Sequence, residues 1–364
     1  MGTPGDFSAS QLPDVVVKQS EIWADPVQRR IYDQPVNSAK AVMENQNVRF
    51  EPLVSKDTNN CIGVKVVWLN VCDGEVIDMS DENNHLENCN VTGEETFSES
   101  LVTEPNVFLK RTFFVSDARC KDAFAAQQII AELMLRNKQM LEVEFNKKVI
   151  ATLAANAMAN ADIDSTGMIN GTVTEYPAEK FQTPELMAEF ALAAERNKIK
   201  NPIALSGSNF YHAVFNSQYN RLDDDKRNEA AKFGTLNWYW DTLHLDQLLN
   251  PARSTFVFDS GGIAVYGLNN YQSLNPTDIK ADLWGWKEPT NNLRYRDGGR
   301  EVPLYVDVTM QRSCDVRNGR DRVNGWAFEL QLRAAIALGP EGCDGETGIL
   351  QFNRINGGGE SSPA

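Results

Sequence analysis

The sequence predicts an α+β fold in which long elements stand out from a compact body, and three observations carry that prediction. Residues 117–160 form a stretch of 44 without a Gly or a Pro, rich in Ala, Leu, Gln, Glu, Lys and Met, the side chains that lose least on entering a helix. Segments 62–71 and 107–115 are dense in β-branched and aromatic residues and read as strands of the length sheets favour. Between them, residues 66–109 hold ten acids and not one Lys or Arg. The formal net charge is −15, so two thirds of it sits in this one excursion.

The elements follow in chain order. Residues 1–46 carry Pro4, Pro13, Pro26 and Pro35, each placed to stop a helix before it gains useful length. They predict an extended arm, and the apolar Val15, Val16, Val17, Ile22, Trp23, Ile31 and Tyr32 predict that it lies on another surface. Strands 62–71 and 107–115 are expected to pair. Ser116 is a fitting N-cap for the helix beginning at Asp117. Its residues Leu141, Phe145, Val149 and Leu153, continued upstream by Ile130, Leu133 and Met134, predict one face packed on a core. Helical throughout, the segment would reach ~66 Å, longer than a domain is wide; it reads as a spine, bent or broken near Thr152.

After a break at Gly167 and Gly171, Thr183-Pro184-Glu185 opens a helix with an N-cap, a first-position Pro and an acid near its positive end; Asn201-Pro202 stops it near Lys200. A third helix is expected over 206–219. Residues 256–258 and 263–266 read as short strands around Gly261-Gly262, 302–311 as an alternating strand, and 326–338 as a buried one. Residues 357–364 read as a loose tail.

Composition excludes several classes. A protein that grips nucleic acid by its phosphates needs a basic surplus, and 35 Lys and Arg against 50 Asp and Glu is the reverse. No run of about 18 apolar residues occurs, as a bilayer span requires, and residues 1–20 have neither signal nor transit character, so a soluble chain made in a cytoplasm is expected. Six cysteines in 364 residues are too sparse for a disulfide framework.

The motifs that could carry chemistry are weak. Asp259-Ser260-Gly261-Gly262 resembles a serine-protease nucleophile loop, but Phe258 stands where the leading Gly belongs, and neither His212 nor His244 has the surroundings of a partner base; it reads as a tight turn. Cys72, His85 and Cys89 lack the close pairs of a structural zinc site. Asp223-Asp224-Asp225 lacks the Gly and terminal Glu of a calcium loop. No phosphate-binding Gly loop is present. Trp238, Tyr239 and Trp240, with Trp284 and Trp286, could line a ligand groove, although aromatics on adjacent short elements more often make core or interface. No catalytic, cofactor or metal residue is assigned.

An arm, a long acidic excursion and a long helix resemble, in their order, the major capsid proteins of tailed bacteriophages, whose fold is shared with encapsulin shell proteins. The resemblance implies an α+β fold with an N-terminal arm (1–46), an extended β loop with flanking strands (47–115), a peripheral domain including the spine helix (116–180 and 292–364) and an axial domain (181–291). It implies a self-assembling structural protein, not an enzyme, that forms pentamers and hexamers in an icosahedral virion shell assembled in the host cytoplasm. That shell would enclose DNA without sequence-specific binding and without a membrane. Its partners would be other copies of itself, a separate scaffolding protein, a portal and a decoration protein. Residues 294–322 hold seven Arg against five acids. The expected inter-subunit contact therefore sets Asp73, Glu75, Asp78, Asp81, Glu82, Glu94 and Glu95 of one copy against Arg294, Arg296, Arg300, Arg317 and Arg320 of another. Competing readings are a tail or accessory virion protein that polymerises, and a soluble hydrolase using carboxylates around the tryptophans.

Overall fold

The computed structural model describes residues 35–46, 48–54, 61–69, 97–102, 106–116, 123–161, 166–182, 185–208, 210, 232–233, 236–248, 254–268, 283–297, 299–317, 321–339 and 347–355. Outside the described residues lie the expected arm up to residue 34, the acidic segment 70–96, Cys72, His85, Cys89, His212, Asp223-Asp224-Asp225, Arg320 and the tail.

Two helices differ from expectation at their ends. After Pro35 the next proline is Pro52, and the intervening residues form helix α1 (Asn37–Asn45), with Ser38, Ala39, Ala41, Val42 and Met43 buried; the last part of the expected arm is thus core. The spine is α2 (Ala123–Ala155), 33 residues and ~50 Å long. Ser116 is not its cap but the last residue of strand β4 (Val107–Ser116). The helix also runs unbroken past Thr152, whose hydroxyl donates to the Lys148 carbonyl at 2.9 Å. Nor is α2 packed on one face alone. Among its described side chains only a narrow stripe including Glu132, Arg136, Met140, Glu144 and Lys148 is exposed, because strands cover one side and α1 the other.

Strands β1 (Arg49–Val54), β2 (Cys61–Leu69) and β3 (Phe97–Val102) form an antiparallel sheet in the order β1-β2-β3, and the β2–β3 pair ends with Leu69 opposite Phe97. The expected pairing of 62–71 with 107–115 does not occur. Strand β4 instead joins a five-stranded antiparallel sheet with β11 (Ile263–Gly267), β12 (Leu283–Asp297), β13 (Arg300–Arg317) and β14 (Asp321–Leu338), in the order β11-β14-β13-β12 with β4 on β14. The inward residues of β4 need the apolar surface under α2, and Phe113 stacks on Phe328 there at 4.7 Å. Gly325 makes the approach feasible, since a Cβ at this position would lie 2.2 Å from the Val115 carbonyl oxygen.

The remaining strands make a mixed seven-stranded sheet: β5 (Met168–Asn170), β6 (Val173–Pro177), β7 (Pro202–Ser206), β8 (Lys232–Phe233), β9 (Leu236–Trp240), β10 (Ser254–Asp259) and β15 (Ile349–Ile355), in the order β5-β6-β15-β10-β7-β9-β8. It is a wall between two cores. Ile203, Leu205, Phe256, Phe258 and Ile349 face the core shared with α2. Ala204, Val257, Leu350 and Phe352 face a second, aromatic core with α3 (Glu185–Arg196). Helix α3 stops four residues before the expected Lys200, where Lys198 takes a left-handed φ of 57° and Ile199 N–H bonds back to the Ala194 carbonyl at 2.9 Å. Ser206 belongs to β7 rather than to the expected third helix, of which Ser208 and Phe210 are helical and 211–219 lie outside the described residues. The sheets cut across the expected domain limits: β15 pairs with β10, while β11 and β12 join β13 and β14.

Candidate interaction surface

The five-stranded sheet curls until its two edge strands are bridged by one side chain. At the end of α1 the buried Gln46 amide donates to the carbonyls of Val265 on β11 (3.0 Å) and Arg296 on β12 (2.8 Å), and its oxygen accepts from Val265 N–H at 2.8 Å. Below this seam Phe50, Tyr266 and Tyr295 form a ring cluster with centroids 4.9–6.0 Å apart. The seam carries an exposed hairpin. β12 and β13 pair down to Asp297 opposite Arg300, and the connection uses Gly299 at φ 84°, a conformation that costs glycine nothing.

Arg294, Arg296 and Arg300 are exposed on this hairpin. A fourth guanidinium comes from a distant part of the chain. Phe50 N–H donates to the Asp297 carboxylate at 3.3 Å, which sets Arg49, 74 % exposed, beside the hairpin. The nearby ion pairs, Arg49–Glu51 at 3.5 Å and Arg294–Glu301 at 3.9 Å, are solvated and individually weak. Sequence reasoning missed Arg49 because nothing local links it to residues some 250 positions away. It also grouped Arg317 with these residues, and here the structure differs. Arg317 pairs with Asp321 at the other end of β13, 17 residues from Arg300 and about 55 Å along an extended strand. Arg320 and the seven acids proposed opposite, Asp73, Glu75, Asp78, Asp81, Glu82, Glu94 and Glu95, lie outside the described residues.

Beneath the hairpin, β12 departs from its ladder. Pro289 pairs with Tyr305 and Arg294 with Pro303, so residues 290–293 bulge out opposite Leu304 alone. The freed backbone groups are met by α2. The buried Glu142 carboxylate accepts from the N–H groups of Asn291 and Asn292 and from Asn292 Nδ2, the last two at 3.2 Å. One turn earlier, buried Lys138 donates to the Pro289 carbonyl at 3.2 Å and lies 3.9 Å from Glu288, which also accepts from Trp286 Nε1 at 2.9 Å. Burial pushes both carboxyls up, opposed at Glu142 by the bulge amides and Lys138 and at Glu288 by Lys138 and Trp286. Burial pushes Lys138 down, opposed by the two carboxylates.

One turn further along α2, Asn146 belongs to a second polar cluster. Asp241 accepts from Ser38 Oγ (2.7 Å), Ser38 N–H (3.2 Å), Asn146 Nδ2 (2.7 Å) and His244 N–H (3.0 Å), with His244 Nδ1 at 3.2 Å. Burial alone would raise this carboxyl, but the donors from His244, Asn146 and Ser38 outweigh it and hold it at about 2. All four residues are buried and Ser38 Oγ is turned to the carboxylate, so the group ties α1, α2 and the end of β9 together and presents nothing to a substrate.

The other sequence candidates resolve as structure. Ser260 hydroxyl donates to the Asn45 carbonyl and Gly262 N–H to the Asp259 carbonyl at 3.0 Å, the tight turn between β10 and β11. Trp238 and Trp240 stack at 5.6 Å in the aromatic core, whereas Trp286 packs in the other core; these tryptophans therefore share no groove. Among the described residues no three His, Cys, Asp or Glu side chains are grouped to hold a metal ion, and no helix is long and apolar enough to cross a membrane.

No protein-family model matches the chain, and no curated protein matches it significantly. Solved structures to which it is similar include the capsid structure of cyanophage P-SCSP1u (12% identity, 86% of this chain and 87% of that chain, TM-score 0.43). A second is a structure from Mycobacterium phage Adephagia (12% identity, 99% and 100% covered, TM-score 0.41). A third is a virus-like particle from Pyrococcus furiosus (11% identity, 94% and 98% covered, TM-score 0.40).

Proposed function

We propose that the chain is a shell-forming subunit, the major capsid protein of a tailed phage, that assembles as pentamers and hexamers into an icosahedral shell around the genome. The observation that carries this reading is the charge layout on projecting elements. Residues 70–96, the stretch of sequence between the paired ends of β2 and β3, carry eight acids and no Lys or Arg, while an otherwise acidic protein gathers Arg49, Arg294, Arg296 and Arg300 around one exposed hairpin. Opposite charges on separate projections suit contacts between copies, where complementarity sets register and excludes wrong partners more than it adds affinity.

In this reading Asp73, Glu75, Asp78, Asp81, Glu82, Glu94 and Glu95 of one subunit meet the arginine hairpin of the next. Arg317, at the far end of β13, makes a separate contact, for which Arg320 is also proposed. The net charge of −15 suits a wall that repels packaged DNA and lets it slide. A separate scaffolding protein, a portal and a decoration protein complete the virion, which is assembled in the host cytoplasm.

Expression with electron microscopy and size-exclusion chromatography tests the reading. Closed icosahedral shells are the expected product. Tubes or rings would favour a polymerising tail protein, and a monodisperse monomer at high concentration with scaffold supplied would overturn self-assembly. Reversing the seven loop acids to Lys is expected to abolish shells while leaving the circular dichroism and melting of the monomer unchanged; normal shells from that variant would remove the proposed contact.

A further inference from the structure

We propose that Glu142 is the positioning residue of the arginine hairpin: from inside α2 it holds the bulge at 290–293 in the shape that presents Arg294, Arg296 and Arg300 beside Arg49 to a second copy of the chain. The presenting role rests on the shell-subunit reading; the holding role does not.

The bulge cannot be shaped by its own ladder. Four residues of β12 stand opposite one residue of β13, and the pairs on either side, Pro289–Tyr305 and Arg294–Pro303, each contain a proline with no N–H to donate. The backbone donors of Asn291 and Asn292 therefore depend on the Glu142 carboxylate, and the Pro289 carbonyl on Lys138. Thr290 closes the loop internally, donating from its hydroxyl to the Leu293 carbonyl at 2.9 Å. Leu293, fully buried, anchors the exit. Past this point the hairpin is held by the four register pairs from Arg294–Pro303 to Asp297–Arg300, the Gln46 bridge, the Asp297 contact and the packing of Tyr295 on Phe50 and Tyr266. A conserved direction for three guanidiniums thus requires a fixed bulge, and bulges are a common means of re-aiming a strand. α2 is a suitable fixed point because it is buried over most of its circumference. Lys138 and Glu142 lie four apart on it and so share one face.

Backbone hydrogen exchange on the full chain, read together with shell assembly followed by light scattering, tests this. In Glu142→Ala the amides of 290–297 should exchange at least tenfold faster than in the wild type, those of α3 should be unchanged, and assembly should slow at least tenfold. Glu142→Gln keeps an oxygen for the bulge amides and fills the same volume, so it should fold even if the alanine variant does not, with exchange at 290–297 raised about threefold. Glu144→Gln, exposed on the same helix, should change neither readout. Unchanged exchange at 290–297 in both Glu142 variants would overturn the holding role. Faster exchange with assembly at the wild-type rate would overturn the presenting role and leave the shell reading intact. A wild-type chain that never assembles would remove the shell reading and the presenting role with it, while the exchange data still decide the holding role.

Discussion

Two polar clusters lie along the same buried side of α2; burial pushes the carboxyls of both up, yet their net shifts are opposite. At Asp241 a lone carboxylate is surrounded by donors from α1, α2 and its own turn, which hold it at about 2. At Lys138, Glu142 and Glu288 the charges face one another, with fewer neutral donors each, and burial shifts every member toward its uncharged form. Both carboxyls are shielded from solvent, but Asp241 lies less deep than Glu142 and collects more hydrogen bonds. A buried carboxylate is secured by converging donors; an ion pair alone barely offsets its desolvation. The first cluster therefore stabilises the junction of α1, α2 and β9, and the second chiefly specifies the shape of β12.

The contrast predicts a ranking. Asp241→Ala should be the most damaging change, because Ser38 and the His244 amide are left buried without an acceptor and Asn146 Nδ2 keeps only His244 Nδ1. A loss of about 4 kcal/mol is expected, read from the urea midpoint of the monomer. Lys138→Met, which leaves two carboxyls without their cation, should cost about 3 kcal/mol. The double variant Lys138→Met with Glu288→Met should recover about 1 kcal/mol of that loss, because apolar side chains replace a buried pair at little net cost while Glu142, the Pro289 carbonyl and Trp286 Nε1 still lack their partners. A double variant as unstable as Asp241→Ala would erase the distinction between the clusters.

The third effect is an acid limb. The folded Asp241 carboxyl titrates at about 2 against an ordinary 3.8, so its contribution is complete above about pH 4 and is lost as the pH falls through about 2. It amounts to about 2 kcal/mol. Stability measured from pH 5 down to pH 2 should fall in the wild type and should fall less in Asp241→Asn.

How much of this was legible in the sequence follows the range of each interaction. Helix α2 was legible because propensity and the absence of Gly and Pro are local, and 302–311 and 326–338 read as strands because alternation and an apolar run are local as well. Its all-round burial was not legible. Lys138, Glu142 and Asn146 recur every four residues beside Leu141, Phe145 and Val149, and such a row normally marks a solvated face; only the strands and α1 arriving from elsewhere turn it inward. The unused signal was the weakness of any contrasting apolar face along the helix. Strand identity was local in 107–115, but its choice of β14 over β2 was not. The arginine hairpin was half legible: Arg294, Arg296 and Arg300 adjoin in sequence, whereas Arg49 and the Gln46 bridge are tertiary, and Arg317, on the same strand as Arg300, lies at its other end.

The smallest effect has the opposite sign to the acid limb, which makes it the sharpest test of the contrast. Burial raises the folded Glu288 and Glu142 carboxyls above their ordinary 4.5, so the fold favours their protonated forms. Their contribution is greatest below pH 4.5 and is lost as the pH rises through the raised folded values. Removing one such titration should tilt the stability profile without moving its acid limb. In Glu288→Gln, which keeps an acceptor for Trp286 Nε1, stability relative to the wild type should improve as the pH rises from 4 to 7, measured by urea denaturation at several pH values. The Asp241 acid limb should be unaltered, because the residues around that carboxylate, Ser38, Asn146 and His244, do not include Glu288. If the Glu288→Gln profile instead ran parallel to the wild type throughout, the second cluster would be held in its charged form as firmly as the first. The number of converging donors would then not be what separates them.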